Sequence, residues 1–267
     1  MSRSLVTLTT DFGTSDYYVA AMKAVMLSVS DNIRMVDITH EVKAQDLLGG
    51  AWILKHAAYL FPVGTVHLAV VDPGVGTDRR PVAFRHRGQY FVGPDNGMFA
   101  LVTDNEEVEG VELRNLEFWR TSEPSSTFHG RDIFAPVAAH LASGVRLEEL
   151  GPAISGLQVS HWAVPASDKH GIQGWVVHID RFGNLMTNIP SELVRNFGPN
   201  EELRIYVGTH ILRGLVSTYG SVLEGEPAAL IGSSDTLEIA VNKGNAAEML
   251  GVYQGAAISV IRDKVAQ

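Results

Sequence analysis

Cysteine is absent from this chain. That excludes disulfides, thiolate metal sites and cysteine nucleophiles. Positive charge is in deficit: 21 Lys and Arg stand against 30 Asp and Glu, a formal net charge of −9. Such a balance argues against nucleic acid as the main partner. It leaves a small cationic ligand open, because bulk charge is a weak guide to a pocket. A long apolar run is also missing. The stretch GAWILKHAAYLF (Gly50–Phe61) is interrupted by Lys55 and His56 and is too short to span a bilayer. No membrane partner is expected. The opening MSRSLVTLTTDFG carries neither a long apolar core nor a small-residue cleavage site, so the expected address is cytoplasmic. A secreted protein free of disulfides stays open as the alternative. GxGxxG, a Walker loop with GK[ST], HExxH and HxH are all lacking, so no dinucleotide, phosphate-loop or tight metal-ligand signature is present.

What is present suffices for a sizeable core. With 267 residues, 45% of them hydrophobic, the chain fits one large or two modest domains. Leu5–Thr10 reads as a strand, followed by a polar turn and a helix to about Ser28, capped by Ser15 or Asp16. Met35–Thr39 reads as a strand, Asp46–Leu60 as a helix stopped by Pro62, and Val66–Val71 as a strand apolar enough to be covered on both faces. Val82–Phe84 and Tyr90–Val92 form a hairpin, and Arg131–Ala142 a further helix. The fold class expected is α/β: an N-terminal, mainly parallel α/β sandwich domain over residues 1–160. A Gly-, Pro- and Ser-rich connection follows over 161–170, then a smaller C-terminal antiparallel β domain over 171–267. Strands of the second domain are read at Gly174–Ile179, Leu185–Asn188, Leu203–Val207, Ala229–Ile231, Leu237–Val241 and Ala257–Arg262.

Ligands of open α/β sheets sit at the carboxyl ends of the strands. Asp11 follows the first strand and Asp72 the third, so both belong near that edge, as turn residues or as site residues. In VVDPGVGTDRR the Pro-Gly turn returns two arginines to the vicinity of Asp72. In TFHGRDIFAP, His129 stands at a helix start between Phe128 and Gly130, open to a surface, catalytic or metal-ligating role. GPDNG reverses the chain, with or without a ligand role for Asn96. IDRFGNLMTNI reads as a hairpin whose turn is formed by Asp180 and Asn184, or as a ligand loop. Ser233, Ser234, Glu238 and the loop Val241–Ala246 suit either a pocket for a flat heterocycle or an ordinary sheet edge.

Taken in order, TDFGTSDYYVAAMK, VDPGVGT, GPDNG, FHGRDIFAPVAAHL and IDRFGN with TNI resemble the S-adenosylmethionine hydroxide adenosyltransferase family, hydrolytic relatives of the fluorinases and chlorinases. The resemblance runs from about Thr10 to the C-terminus. It implies hydrolysis of S-adenosyl-L-methionine to adenosine and L-methionine by water attack at C5′, without a cofactor or metal. It also implies a homotrimer with sites between subunits. The family's hydrolytic Asp, Arg and His fall on Asp72, Arg79 and His129, with Arg79 rather than Arg80 at the matching spacing. The ribose-binding acid falls on Asp11, and the methionine-binding pair on Asp180 and Asn184. Ser233, Ser234, Glu238, Val241 and Ala246 fall among the adenine-side contacts, and Phe12, Asp16, Asn96 and Phe128 complete the implied substrate contacts. The halogenases carry Tyr at the position of Asp72, Ser at Gly130, Arg at Ser234 and Trp at Met186. A carboxylate at position 72 would repel a halide and accept a hydrogen bond from water. The competing readings are a non-catalytic nucleoside or S-adenosylmethionine sensor, a halide-using adenosyl transferase and, more remotely, a metal-dependent hydrolase.

Overall fold

Alternation within one strand sets the layers of the first unit. In Ser4–Thr10 (β1), Val6 and Leu8 point to one face and Thr7 and Thr9 to the other, and all four are fully buried. A strand buried on both sides requires cover on both sides. The computed structural model, which describes residues 4–160 and 164–263, supplies it. Tyr18–Val29 (α1) packs with Ala135–Ala142 (α4), and their Met22, Met26, Val137 and Leu141 join Val6 and Leu8 in one core. Leu47–Ala58 (α2) packs with the short Ala100–Thr103 (α3). The other strands are Ile33–Thr39 (β2), Val66–Val70 (β3), Pro81–His86 (β4), Gln89–Pro94 (β5) and Glu109–Glu112 (β6). They form a six-stranded sheet in the order β2-β1-β3-β5-β4-β6. β1 pairs in parallel with β2 and β3, and β3 with β5, whereas β4 runs antiparallel to β5 and β6. The parallel part brings the carboxyl ends of β1, β3 and β5 to one edge.

Two local expectations are corrected. Neither Ser15 nor Asp16 caps α1: the preceding residue is Tyr17, in helical conformation and without a side-chain cap. The cap oxygen must sit on the residue next to the first helical one, and the two polar side chains fall short of that place. The helix expected from Arg131 starts otherwise as well. Gly130–Phe134 forms a π-helical turn, closed by the Ala135 N–H donating to the Gly130 carbonyl, and regular α-helix begins only at Ala135.

The chain divides into two compact units, Met1–Ser160 and His161–Gln267. Within the connection expected at 161–170, residues 161–163 lie outside the described residues, and Ala166–Ser167 (β7) pairs with Gly171–Ile179 (β8). The second unit continues with Leu185–Pro190 (β9), Ser191–Phe197 (α5), Leu203–Val207 (β10) and His210–Arg213 (β11). Pro227–Ile231 (β12), Thr236–Val241 (β13), Ala246–Leu250 (α6) and Ala257–Arg262 (β14) complete it. Its sheet is antiparallel throughout, in the order β11-β10-β14-β8-β9-β13-β12. The core is aliphatic, with Val176, Leu185, Ile189, Ile205, Leu237, Ile239 and Val260 fully buried.

Candidate active site

The segment after β3 leaves the sheet edge and returns to it within a few residues. The Val75 N–H donates to the Asp72 carbonyl at 3.2 Å and the Thr77 N–H to the Gly74 carbonyl at 3.2 Å. Gly76, at φ +78°, completes the reversal, and a Cβ there would stand 2.5 Å from the Ser126 carbonyl oxygen. Two tight turns thereby set Asp72 and Arg79 side by side. Arg79 Nε lies 3.1 Å from both Asp72 oxygens and Nη2 lies 2.5 Å from Oδ2. Both side chains are nearly buried, at 8% and 6% exposure, so each charge relies on the other.

His129 arrives from a segment fifty residues away. Arg79 Nη2 reaches its Nδ1 at 2.7 Å. A guanidinium has no acceptor, so Nδ1 accepts and the ring proton resides on Nε2. The imidazole pKa is held below its ordinary 6.5 first by burial and then by the Arg79 charge, against the opposing pull of Asp72 and Asp132. The Phe134 ring, in the π-turn, lies 5.2 Å from the Arg79 guanidinium carbon and covers it. Asp72, Arg79 and His129 thus meet in one cluster. Arg80 goes elsewhere: it pairs with Asp95 and donates to the Gly156 carbonyl at 2.8 Å.

Around this cluster, Asp11 accepts the Gln45 N–H at 2.8 Å. Phe12 and Phe128 meet edge to face at 5.9 Å, and Tyr18 closes on Phe128 at 5.2 Å. Asp16 is exposed. Asn96 spends its amide on the sheet edge, donating to the Val71 carbonyl at 2.8 Å and accepting the Met98 N–H at 3.3 Å.

In the second unit, the β8–β9 turn is organised by one side chain. Asp180 Oδ1 accepts the Phe182 and Asn184 N–H groups at 2.9 Å, and Oδ2 accepts the Asn184 amide at 3.0 Å. The hairpin role is therefore real, and the same residues also line a cavity of about 530 Å³ with Phe182, Tyr219, Val241, Lys243 and Gly244. Gly183, at φ +85°, lets the turn approach α6: a Cβ would stand 2.0 Å from Asn245 Oδ1. Glu238, buried in mid-strand, accepts the Tyr219 hydroxyl at 2.7 Å. Burial raises its carboxyl pKa, Tyr219 opposes that, and the Asp180 charge adds to it. Burial and then Glu238 push the Tyr219 phenol up to about 12.

Not every expected residue reaches this cavity. Ser233 and Ser234 sit in the β12–β13 turn, at the far end of β13 from Val241, and Ser234 Oγ bonds Thr236 Oγ1 at 2.8 Å. Six residues of strand span roughly 17 Å. Ala246 is buried in the unit's core. Tyr219 escaped the sequence reading; Lys243 lies in the candidate loop Val241–Ala246, and Phe134 and Asp132 lie in TFHGRDIFAP. Phe182 stood in the quoted hairpin motif, and Asp132 was visible only as a charge beside His129; Tyr219 carried no signal of its own.

Among the described residues, no group of three or more His, Cys, Asp and Glu is placed to hold a metal ion. Residues 6–151 match the family described as SAM hydroxide adenosyltransferase N-terminal domain, and residues 174–259 match its C-terminal counterpart. An (R)-S-adenosyl-L-methionine hydrolase of Thermus thermophilus is 40% identical over 260 residues, covering 94% of this chain and 97% of the relative. One from Salinispora tropica is 38% identical over 254 residues, with 94% and 95% covered. A fluorinase of an Actinoplanes species is more distant, at 29% identity over 97% of both chains. The crystal structure of an uncharacterized conserved protein from Thermotoga maritima resembles this one with a TM-score of 0.89 at 37% identity, covering 96% of this chain and 100% of that one. With both of its domain descriptions matched in order, the chain belongs to the SAM hydroxide adenosyltransferase family.

Proposed function

We propose that this protein hydrolyses S-adenosyl-L-methionine to adenosine and L-methionine. The observation that carries the reading is the half-buried Asp72–Arg79–His129 cluster at the carboxyl edge of a largely parallel sheet. The relatives named (R)-S-adenosyl-L-methionine hydrolase support the substrate. Water attacks C5′, the C5′–S bond breaks, and its electron pair goes to sulfur, which becomes the neutral thioether of methionine. As the new C–O bond forms, the attacking oxygen turns strongly acidic, so a modest base suffices.

The hydrogen bonds favour Asp72 for that role. Arg79 is donor-only, and His129 has its Nδ1 lone pair engaged by Arg79. Asp72 alone keeps lone pairs free for the proton. His129 Nε2–H holds the water oxygen, and Arg79 keeps the carboxylate oriented and the ring in its tautomer. Asp11 binds the ribose hydroxyls with its free oxygen. Phe182 and Tyr219 provide flat surfaces for adenine, and Asp180 binds the methionine ammonium. No step draws on a resident cofactor or metal, because the sulfonium is already an activated leaving group.

The finer features follow the family resemblance: a homotrimer with sites between subunits, a cytoplasmic address and no nucleic-acid or membrane partner. Among the described residues no helix is long and apolar enough to cross a membrane. Light scattering tests the trimer. Mixing Asp72→Ala with Asn184→Ala subunits should restore part of the activity if sites are shared, and restore none if they are not.

The deciding assay incubates the full chain with S-adenosyl-L-methionine in ¹⁸O-labelled water. The expected products are methionine and adenosine labelled at O5′. Binding without turnover would instead select the sensor. Turnover only with added halide, yielding a 5′-halogenated nucleoside, would select the transferase.

A further inference from the structure

Asp132 touches none of the reacting groups, yet its carboxylate is 1% exposed and accepts four hydrogen bonds. Arg131 donates from Nε at 2.7 Å and Nη2 at 2.8 Å, Arg120 from Nη1 at 2.9 Å, and the Ser125 N–H at 3.0 Å. Burial alone would raise this carboxyl; the bonds from Arg131, Ser125 and Arg120 overcome that and bring its pKa to about 2. The main chain of Asp132 is engaged too. Its N–H donates to the Phe128 carbonyl at 3.2 Å, and its carbonyl accepts the Arg120 N–H at 2.9 Å.

These contacts converge on the two neighbours of His129. Phe128 is held from the main chain by Asp132, and its ring lies 5.0 Å from the Arg131 guanidinium carbon that Asp132 fixes. Gly130 opens the π-turn, where a helix accommodates one extra residue per turn, an arrangement frequent at functional sites. Ser125 opens the loop whose Ser126 carbonyl crowds Gly76 in the Asp72–Arg79 turn. One acid therefore ties the segment carrying His129 to itself and abuts it on the segment carrying its partners.

We infer that Asp132 is the positioning residue for His129, locking the loop 120–132 so that the imidazole meets Arg79. The kinetic part of this inference rests on the hydrolase reading; the positional part does not. The charges facing His129 are Arg79, Asp72 and Asp132, so removing the last leaves a net drop in negative charge beside the ring.

The test is Asp132→Asn in the full chain, read by steady-state kinetics and by NMR titration of the His129 ring. A loss in kcat of up to about 100-fold is expected from misplacement. KM should stay within about threefold, since Phe128, the implied substrate contact beside Asp132, keeps its main-chain hydrogen bond in the variant. The His129 titration midpoint should move to lower pH. Arg120→Gln removes only the most exposed donor: kcat should fall by less, and because a positive charge is lost and Asp132 is less neutralised the His129 midpoint should move to higher pH, with Arg120→Lys restoring part of both. If Asp132→Asn fails to fold, Arg120→Gln decides. Wild-type kcat with an unmoved His129 titration overturns the inference, as does a lowered melting temperature with neither readout changed. If the wild-type chain itself does not turn over S-adenosyl-L-methionine, the hydrolase reading fails, and the ring titration still tests Asp132.

Discussion

Two aspartates at strand ends, Asp72 and Asp180, are held in opposite ways. Asp72 is fixed by a cation seven residues on, within a nearly buried pair. Asp180 is fixed by N–H groups of its own turn and by the Asn184 amide. A charge pair in a dry place holds a carboxylate while leaving lone pairs for a reacting molecule. An Asx-type turn holds a carboxylate as part of a wall. The first unit thus concentrates charge, and the second presents shape: a cavity edged by the exposed rings of Phe182 and Tyr219.

The same substitution at the two sites should break or confirm this contrast most sharply. Asp72→Asn is expected to lower turnover by about 10²–10⁴-fold, the usual worth of a general base, with substrate affinity by calorimetry little changed. Asp180→Asn keeps turn-forming chemistry and should raise KM while sparing kcat. Equal kinetic loss in both would erase the distinction.

Next in size are the turn glycines. Gly76→Ala and Gly183→Ala each force a left-handed backbone onto a residue with a Cβ and press it into a neighbour, costing about 1–3 kcal/mol each by denaturant unfolding. The first should also lower kcat, because the displaced Ser126 segment leads to His129; the second should raise KM only.

Tyr219→Phe comes third. Leaving the buried Glu238 carboxyl without its donor should cost about 1–3 kcal/mol of stability and raise KM several-fold at constant kcat.

The smallest effect is a pH step to which Asp132 and His129 of the first unit contribute. The Asp132 carboxyl is depressed from 3.8 to about 2. Its contribution to stability is therefore complete above pH ~4 and is lost as the pH falls towards 2. His129, also depressed, destabilises in the same direction, because below pH 6.5 the unfolded chain takes up its proton more readily. Melting curves from pH 7 to 3 should fall accordingly, and Asp132→Asn should flatten the portion below pH 4. The same depression places the acid limb of activity below pH 6.5.

Much of the frame was legible because its signals are local. The threonine–aliphatic alternation of β1, the apolar β3 and the Pro-Gly turn after Asp72 each depend on residues within a few positions. The choice of Arg79 over Arg80 came from resemblance, and the structure gives it a physical reason: adjacent side chains leave the chain on different sides, one to Asp72 and the other to Asp95. Other features were invisible. A π-turn differs from an α-turn by one residue in the hydrogen-bond count, and GRDIF has no composition that distinguishes them. The Asp132 network draws donors from 120, 125 and 131, which look like an ordinary polar loop in one dimension. Tyr219 meets Glu238 only because β12 and β13 fold back between them.

The order of residues by itself determined most of the strands and the main helices, the mainly parallel then antiparallel character of the two sheets, and which acids stand at strand ends. Those properties arise from periodicity and turn chemistry, which act over a handful of neighbours. Tertiary structure alone decided that an imidazole fifty positions away accepts from Arg79, that its proton therefore rests on Nε2, and that a buried acid secures its loop. Such contacts depend on where separate segments come to rest in three dimensions, and on the removal of water that makes their charges matter.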